Sequence, residues 1–154
     1  PMSYSRRHCL GLFVSAPALL LSVGRAKAAT SPPVYRENGI AIDGTDAVAY
    51  FTQRAPLAGN PSITLDWNGA TWRFADTENR TTFAANPTAY SPQYGGYCAY
   101  AVSKNYTAPT VPEAWRIVDG KLYLNFSLRV RKIWERDIPS RIAAADRNWP
   151  GVLG

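Results

Sequence analysis

A single cysteine lies among tyrosines in the segment QYGGYCAYAV, residues 93–102. The thiolate of Cys98 is a soft ligand suited to copper(I), zinc or haem iron. Three phenols lie close to it along the chain, those of Tyr94, Tyr97 and Tyr100. This pattern indicates a transition-metal or haem site that includes Cys98. A second interpretation, which the residue types alone favour, is a small buried thiol with tyrosines packed around it.

Two adjacent glycines, Gly95 and Gly96, precede the cysteine. In the first interpretation they let the backbone approach a bound ligand closely, and in the second they make a turn. The only histidine, His8, and the only other cysteine, Cys9, lie near the N-terminus. A structural zinc site normally has four cysteine or histidine ligands, so Cys98 would need carboxylate, phenolate or exogenous partners.

Enzymatic chemistry has little support in the residues beyond the first 28. Without a histidine there is no imidazole base, and without a second cysteine no resolving thiol for a redox cycle. Asp43, Asp46, Asp66 and Asp76 could pair for acid–base work, but each fits a turn, a helix cap or a solvated face better. A binding function is therefore favoured over an enzyme.

Residues 1–28 have the pattern of an export signal. Arg6 and Arg7 precede an apolar run from Leu10 to Val23, and Ala26-Lys27-Ala28 fits the A-x-A cleavage pattern. The arginine pair resembles the twin-arginine type of signal. Four of the 17 basic residues and none of the 11 acidic ones lie here, so cleavage lowers the net charge from +6 to +2. The remaining chain lacks the basic surplus that nucleic-acid binding requires, and no stable membrane span is expected after cleavage.

The remaining sequence predicts a flexible connector, residues 29–38, followed by one domain, residues 39–154. Asn68-Gly69 and Asp119-Gly120 each predict a hairpin turn between runs of β-forming residues. A helix capped by Asp76 or Thr77 is expected to end near Ala85, and two further helices with a break at Pro139 are expected near the C-terminus. The expected fold is α+β, with the two hairpins in one antiparallel sheet and helices packed on it.

Five stretches in this order resemble the exported YHS-domain-containing proteins of bacteria: GTDAVAYF, NGATWRFADTENRTTF, NPTAYSPQYGGYCAYAV, APTVPEAWRIVDGKLYLNF and DRNWP. The resemblance runs from about Gly39 to Leu153. It implies a small α+β domain distantly similar to treble-clef, metal-binding modules. The Tyr-His-Ser signature and the paired cysteines of the metal-binding relatives are absent here, so ligation can be carried over only to Cys98.

Together these observations predict a periplasmic or secreted bacterial binding module. Its expected ligand is a metal ion, copper or zinc, or a metal-containing cofactor such as haem, at a site formed by Cys98 with Tyr94, Tyr97 and Tyr100. The alternative is a protein-interaction or accessory domain of the cell envelope that has no cofactor and docks on an envelope partner through aromatic residues.

Overall fold

The computed structural model describes residues 30–154, and in this part of the chain strands and helices surround two hydrophobic clusters. The strands are β1 (Arg36–Glu37), β2 (Ile40–Ala41), β3 (Asn60–Trp67), β4 (Ala70–Phe74), β5 (Trp115–Val118) and β6 (Lys121–Leu124). The α-helices are α1 (Ala49–Thr52), α2 (Thr77–Ala85), α3 (Pro87–Tyr90), α4 (Ala99–Ser103), α5 (Leu128–Glu135) and α6 (Ile138–Asn148). The α+β class is therefore confirmed. The predicted export signal lies outside the described residues.

Both predicted hairpins are present because each turn has the two positive-φ positions of a type I′ turn. The φ angles are 50° and 79° at Asn68 and Gly69, and 50° and 74° at Asp119 and Gly120. This geometry matches the twist of the flanking strands, so β3 pairs with β4 and β5 with β6 in antiparallel register. The predicted helix after the first hairpin is also confirmed, since Asp76 accepts a hydrogen bond from the Asn79 backbone amide.

The two hairpins lie in separate sheets, which differs from the expected single sheet. The larger sheet has the strand order β1-β2-β4-β3, with β2 parallel to β4, and β5 and β6 form the smaller sheet. Because β2 and β3 occupy both edges of β4, the second hairpin cannot pair there. The free edge of β3 has Pro61 and an irregular register between Asn60 and Thr64, features that discourage further pairing.

The described part of the predicted connector, residues 30–38, packs against the domain. Val34 and Tyr35 are buried, and the Tyr35 amide donates to the Gly95 carbonyl at 2.9 Å. The Ser31 amide donates to the Leu153 carbonyl at 2.8 Å. These side chains and backbone bonds make the segment an integral part of the fold. The packed domain thus begins before Gly39.

A buried carboxylate joins α1 to the sheet and to α2. Asp46 has no exposed surface, and its Oδ1 accepts from the amides of Val48 at 2.9 Å and Ala49 at 3.2 Å. Its Oδ2 accepts from the Ala75 amide at 2.9 Å and the Asn79 side-chain amide at 2.8 Å. Four donors offset the cost of burying the charge. Asp46 therefore has a structural role in the turn that leads into α1, one of the roles that the sequence left open for it.

No helix in the part of the chain that the structure describes is both long and apolar enough to cross a membrane.

Candidate functional site

The segment 93–102 begins with a left-handed turn that brings the chain against itself. Tyr94, Gly95 and Gly96 have φ angles of 58°, 62° and 84°. A Cβ on Gly95 would collide with the Pro33 carbonyl oxygen, and one on Gly96 would lie 2.7 Å from Ile42 Cγ2. The two glycines therefore form a turn that approaches the protein's own chain closely. Of the two roles that the sequence left open, a turn or close approach to a ligand, the structure shows the turn.

Two of the predicted site tyrosines are engaged within the fold. The Tyr94 hydroxyl donates to Asp146 Oδ1 at 2.8 Å, and the Tyr97 hydroxyl donates to the Pro32 carbonyl at 2.8 Å. Burial raises the pKa of both phenols, and the hydrogen bond to Asp146 raises that of Tyr94 further. Both hydroxyls are thus held protonated on partners other than the Cys98 sulfur.

Cys98 lies at the start of α4, where the backbone positions its thiol against the chain that follows β6. The Cys98 Sγ accepts a hydrogen bond from the Phe126 amide at 3.3 Å and donates to Asn125 Oδ1 at 3.6 Å. The same oxygen accepts from the Tyr100 amide at 3.1 Å. Cys98 is 1% exposed, and burial raises the pKa of its thiol, although nearby backbone amides oppose the shift. The neutral thiol is therefore favoured at pH 7.

An apolar pocket of about 250 Å³ opens beside this thiol. Its walls come from the start of α4, the loop after α4, the loop after β6, and α5: Cys98, Tyr100, Ala101, Tyr106, Ala108, Phe126 and Val130. Cys98 and Ala101 are buried, whereas Tyr106 and Phe126 are each 50% exposed. The buried residues thus form the base of the pocket, and the two aromatic side chains form its rim.

Of the four large hydrophobic side chains that stand exposed in the described residues, two line this pocket. Tyr106 and Phe126 line it, and Leu128, 49% exposed, follows Phe126 by two residues. Val111, 37% exposed, is tied to the same region because its amide donates to the Asn125 carbonyl at 3.2 Å. Apolar groups exposed together, rather than scattered singly, mark an interaction surface.

One wall of the pocket borders on positive charge. The Arg141 guanidinium carbon lies 4.8 Å from the centre of the Tyr100 ring, and the Lys104 ammonium lies 6.0 Å from it. Among the described residues the ion pairs both involve Glu135, with Arg116 and Arg131, so neither cation at Tyr100 is neutralised by a carboxylate. An anionic group near this wall would be attracted.

The donor set at the pocket fits a metal ion poorly. Cys98 and Tyr100 line the pocket, while Tyr94 and Tyr97 direct their hydroxyls elsewhere. No group of three or more histidine, cysteine, aspartate or glutamate side chains in the described residues could hold a metal. Zinc takes four protein ligands in structural sites and three in catalytic ones, more than the two donors here. Haem does not fit either, because the pocket is smaller than the range of about 300–1,000 Å³ that is usual for ligand pockets.

The aspartates considered for acid–base chemistry each accept hydrogen bonds from ordinary structural partners. Besides Asp46 and Asp76, Asp66 accepts from the Thr71 hydroxyl at 2.7 Å, and Asp43 accepts from the Tyr35 hydroxyl at 3.2 Å. Burial raises the pKa of Asp43. The expected roles at turns, caps and solvated faces therefore account for these residues.

Three residues at the site were not foreseen from the sequence: Asn125, whose side chain accepts from the thiol behind the pocket, and the rim residues Tyr106 and Phe126. Asn125 directly follows three buried residues of β6 and is itself fully buried. A polar residue that continues an apolar strand is the signal that could have found it. The rim residues lie in different loops, so their meeting depends on the fold.

Comparison of this chain with models of known protein families, with curated proteins and with solved structures found no match. The YHS resemblance therefore stays a prediction from the sequence motifs. Function has to be argued from the pocket and its surroundings.

Proposed function

We propose that this chain is an exported binding module of the bacterial cell envelope, whose pocket at Cys98 receives an apolar side chain of a partner protein. One observation carries the proposal: two exposed aromatic side chains, Tyr106 and Phe126, line an apolar pocket. The export-signal pattern supports the location. The proposal takes up the cofactor-free alternative that the sequence left open.

The size of the pocket favours a single side chain over a larger ligand. Its volume of about 250 Å³ lies below the range of about 300–1,000 Å³ typical of pockets for drug-sized molecules. Protein interfaces commonly depend on a few side chains that fill such pockets, with surrounding contacts that exclude water. Tyr106 and Phe126, at the rim, are placed to make that surrounding contact.

The charges beside the pocket also indicate which kind of partner surface would bind. Lys104 and Arg141 border the Tyr100 wall without a neutralising carboxylate in the described residues. An acidic residue beside the apolar anchor of the partner would meet these cations. Such contacts at an interface rim mainly raise the association rate, and salt screens them.

In this function Cys98 is part of the apolar base of the pocket rather than a ligand. A neutral, buried thiol packs as a small hydrophobic group. The metal-binding hypothesis retains Cys98 and Tyr100 as donors, which is too few for a site built from this chain alone. Docking is therefore the function that the geometry supports best.

Site-directed photo-cross-linking in the cell envelope tests the proposal. A benzophenone amino acid is placed at Tyr106 or Phe126 on the rim, and at Lys121 in the second hairpin as an exposed control. We expect one discrete protein adduct from both rim positions and none from Lys121. Equal adducts at all three positions, or none at either rim position, would contradict docking at this pocket.

A matched pair of variants then tests the role of the rim aromatic. Phe126→Ser should reduce the Tyr106 adduct by roughly tenfold, the effect of losing about 1.4 kcal/mol of interface contact. Phe126→Leu keeps an apolar side chain and should retain most of the adduct. If the serine and leucine variants cross-link equally well, the rim does not contribute to docking.

A further inference from the structure

A second pocket, of about 280 Å³, lies on the other side of the left-handed turn. Its aromatic walls are Trp67, Trp72, Tyr94 and Trp149, and none of its lining residues carries a charge. It shares no residue with the Cys98 pocket. Any ligand here would therefore be separate from the docking partner proposed above.

The aromatic walls are held rigidly by rings behind them. Trp67 is partly exposed and packs on the buried Trp72 with 5.8 Å between ring centres, and the Trp72 indole donates to the Trp67 carbonyl at 3.0 Å. Trp149, also partly exposed, packs on the buried Tyr94 at 6.1 Å. Two indoles thus border the opening in fixed positions, which lowers the entropic cost of binding a flat apolar surface.

Neutral hydrogen-bonding side chains complete the lining. They come from Asn68, Thr88, Ser91 and Gln93. Thr88 donates to Asn86 at 3.2 Å, but the side chains of Asn68, Ser91 and Gln93 form no hydrogen bond with other described residues. Two amides and a hydroxyl are therefore free both to donate and to accept.

We infer that this second pocket binds a neutral saccharide, with one pyranose ring packed against the indoles. A sugar ring has C–H groups that pack on aromatic surfaces and hydroxyls that both donate and accept, as amides and serine do. A charged ligand would be left without a counter-charge, which disfavours it. The volume, below the range of about 300–1,000 Å³ for drug-sized ligands, suits one ring rather than a larger fused system.

Titration with defined sugars tests the inference, with the indole N–H signals of Trp67 and Trp149 as the NMR readout. The probes are cellobiose and N,N′-diacetylchitobiose, with glucuronate as the charged comparison. We expect saturable shifts of both indole signals with a neutral disaccharide and none with glucuronate. No shift at about 50 mM sugar, which would saturate a site of about 1 mM affinity, would overturn the inference. So would an equal response to glucuronate.

Variants that keep the fold sharpen the test. Asn68→Gly removes the amide but suits a type I′ turn, and Asp119→Gly is the matched change at the other hairpin turn. Asn68→Gly combined with Gln93→Ala should weaken sugar binding at least tenfold, whereas Asp119→Gly should leave it unchanged. Unaltered binding in the double variant would overturn the assignment of this pocket. None of these results depends on Cys98 or on the docking partner.

Discussion

Residues 94–97 and 98–102 are adjacent in sequence and both contain tyrosine, yet they have different roles at the Cys98 pocket. In the first half of this segment, residues 94–97, the side chains of Tyr94 and Tyr97 are buried, and their hydroxyls donate to Asp146 and to the Pro32 carbonyl. In the second half, residues 98–102, Cys98 and Tyr100 line an open apolar pocket. A run of residues capable of chemistry becomes a site only where their side chains converge on accessible volume.

The left-handed turn explains this division. Three consecutive positive φ angles at Tyr94, Gly95 and Gly96 fold the chain back on the N-terminal segment before α4 begins. The Tyr35 amide then bonds to the Gly95 carbonyl, which fixes the turn to that segment. Tyr94 and Tyr97 are therefore kept away from the Cys98 pocket, whereas Cys98 and Tyr100 line it.

Among the substitutions that test this comparison, one at Gly95 is expected to change the stability most. Gly95→Ala should lower the free energy of unfolding by about 3 kcal/mol, because strained φ and a collision with the Pro33 carbonyl act together. Gly120→Ala is the control, since Gly120 also has positive φ but open space around it, and should cost only about 1 kcal/mol. Urea unfolding measures both. Equal losses would mean that the turn is not held against the N-terminal segment.

A smaller effect separates the two kinds of tyrosine. Tyr94→Phe should cost about 1–2 kcal/mol of unfolding free energy, because it removes a hydrogen bond to the Asp146 carboxylate. Tyr100→Phe should change stability by less than about 0.5 kcal/mol, since its hydroxyl has no hydrogen-bond partner among the described residues. Thermal or urea unfolding of the two variants provides the measurement. A larger loss of unfolding free energy for Tyr100→Phe than for Tyr94→Phe would contradict this assignment, because the Tyr100 hydroxyl would then be the one bonded within the fold.

The parts of the fold with local causes were predictable from the sequence. The two hairpins follow from Asn68-Gly69 and Asp119-Gly120, and α2 follows from the cap at Asp76, because each signal acts within a few residues. The pairing of β2 with β4 was not predictable, since it rests on a short strand that brings Ile40 beside Thr71. Neither was the packing of Val34 and Tyr35, which joins distant parts of the chain.

The candidate site was predictable in the same uneven way. Cys98 stands out by its type alone, and the structure keeps it at a pocket. Its neighbours in sequence were poor guides to its neighbours in space, because Asn125, Phe126 and Tyr106 approach from other segments. Three-residue spacing of the tyrosines gave no indication that the turn reverses the chain between Tyr94 and Tyr97.

The smallest expected effect is the change in stability that comes from ionisation of the Cys98 thiol as the pH rises. It tests whether the folded protein keeps this thiol neutral. An unfolded thiol ionises near its ordinary pKa of about 8.5, whereas burial raises the pKa in the folded protein. Between these values the folded state holds the proton and the unfolded state has released it, so the stability of the folded state falls as the pH rises.

Cys98→Ser lacks this ionisation and provides the reference. Over the range from about pH 8.5 upward, the wild-type protein should lose stability more steeply than the serine variant, by at most about 1.4 kcal/mol per pH unit. Urea unfolding at a series of pH values gives the difference, and ionising tyrosines cancel because both proteins contain them. Parallel curves would show that the thiol ionises freely in the folded state. The neutral apolar base proposed for the docking pocket would then be wrong.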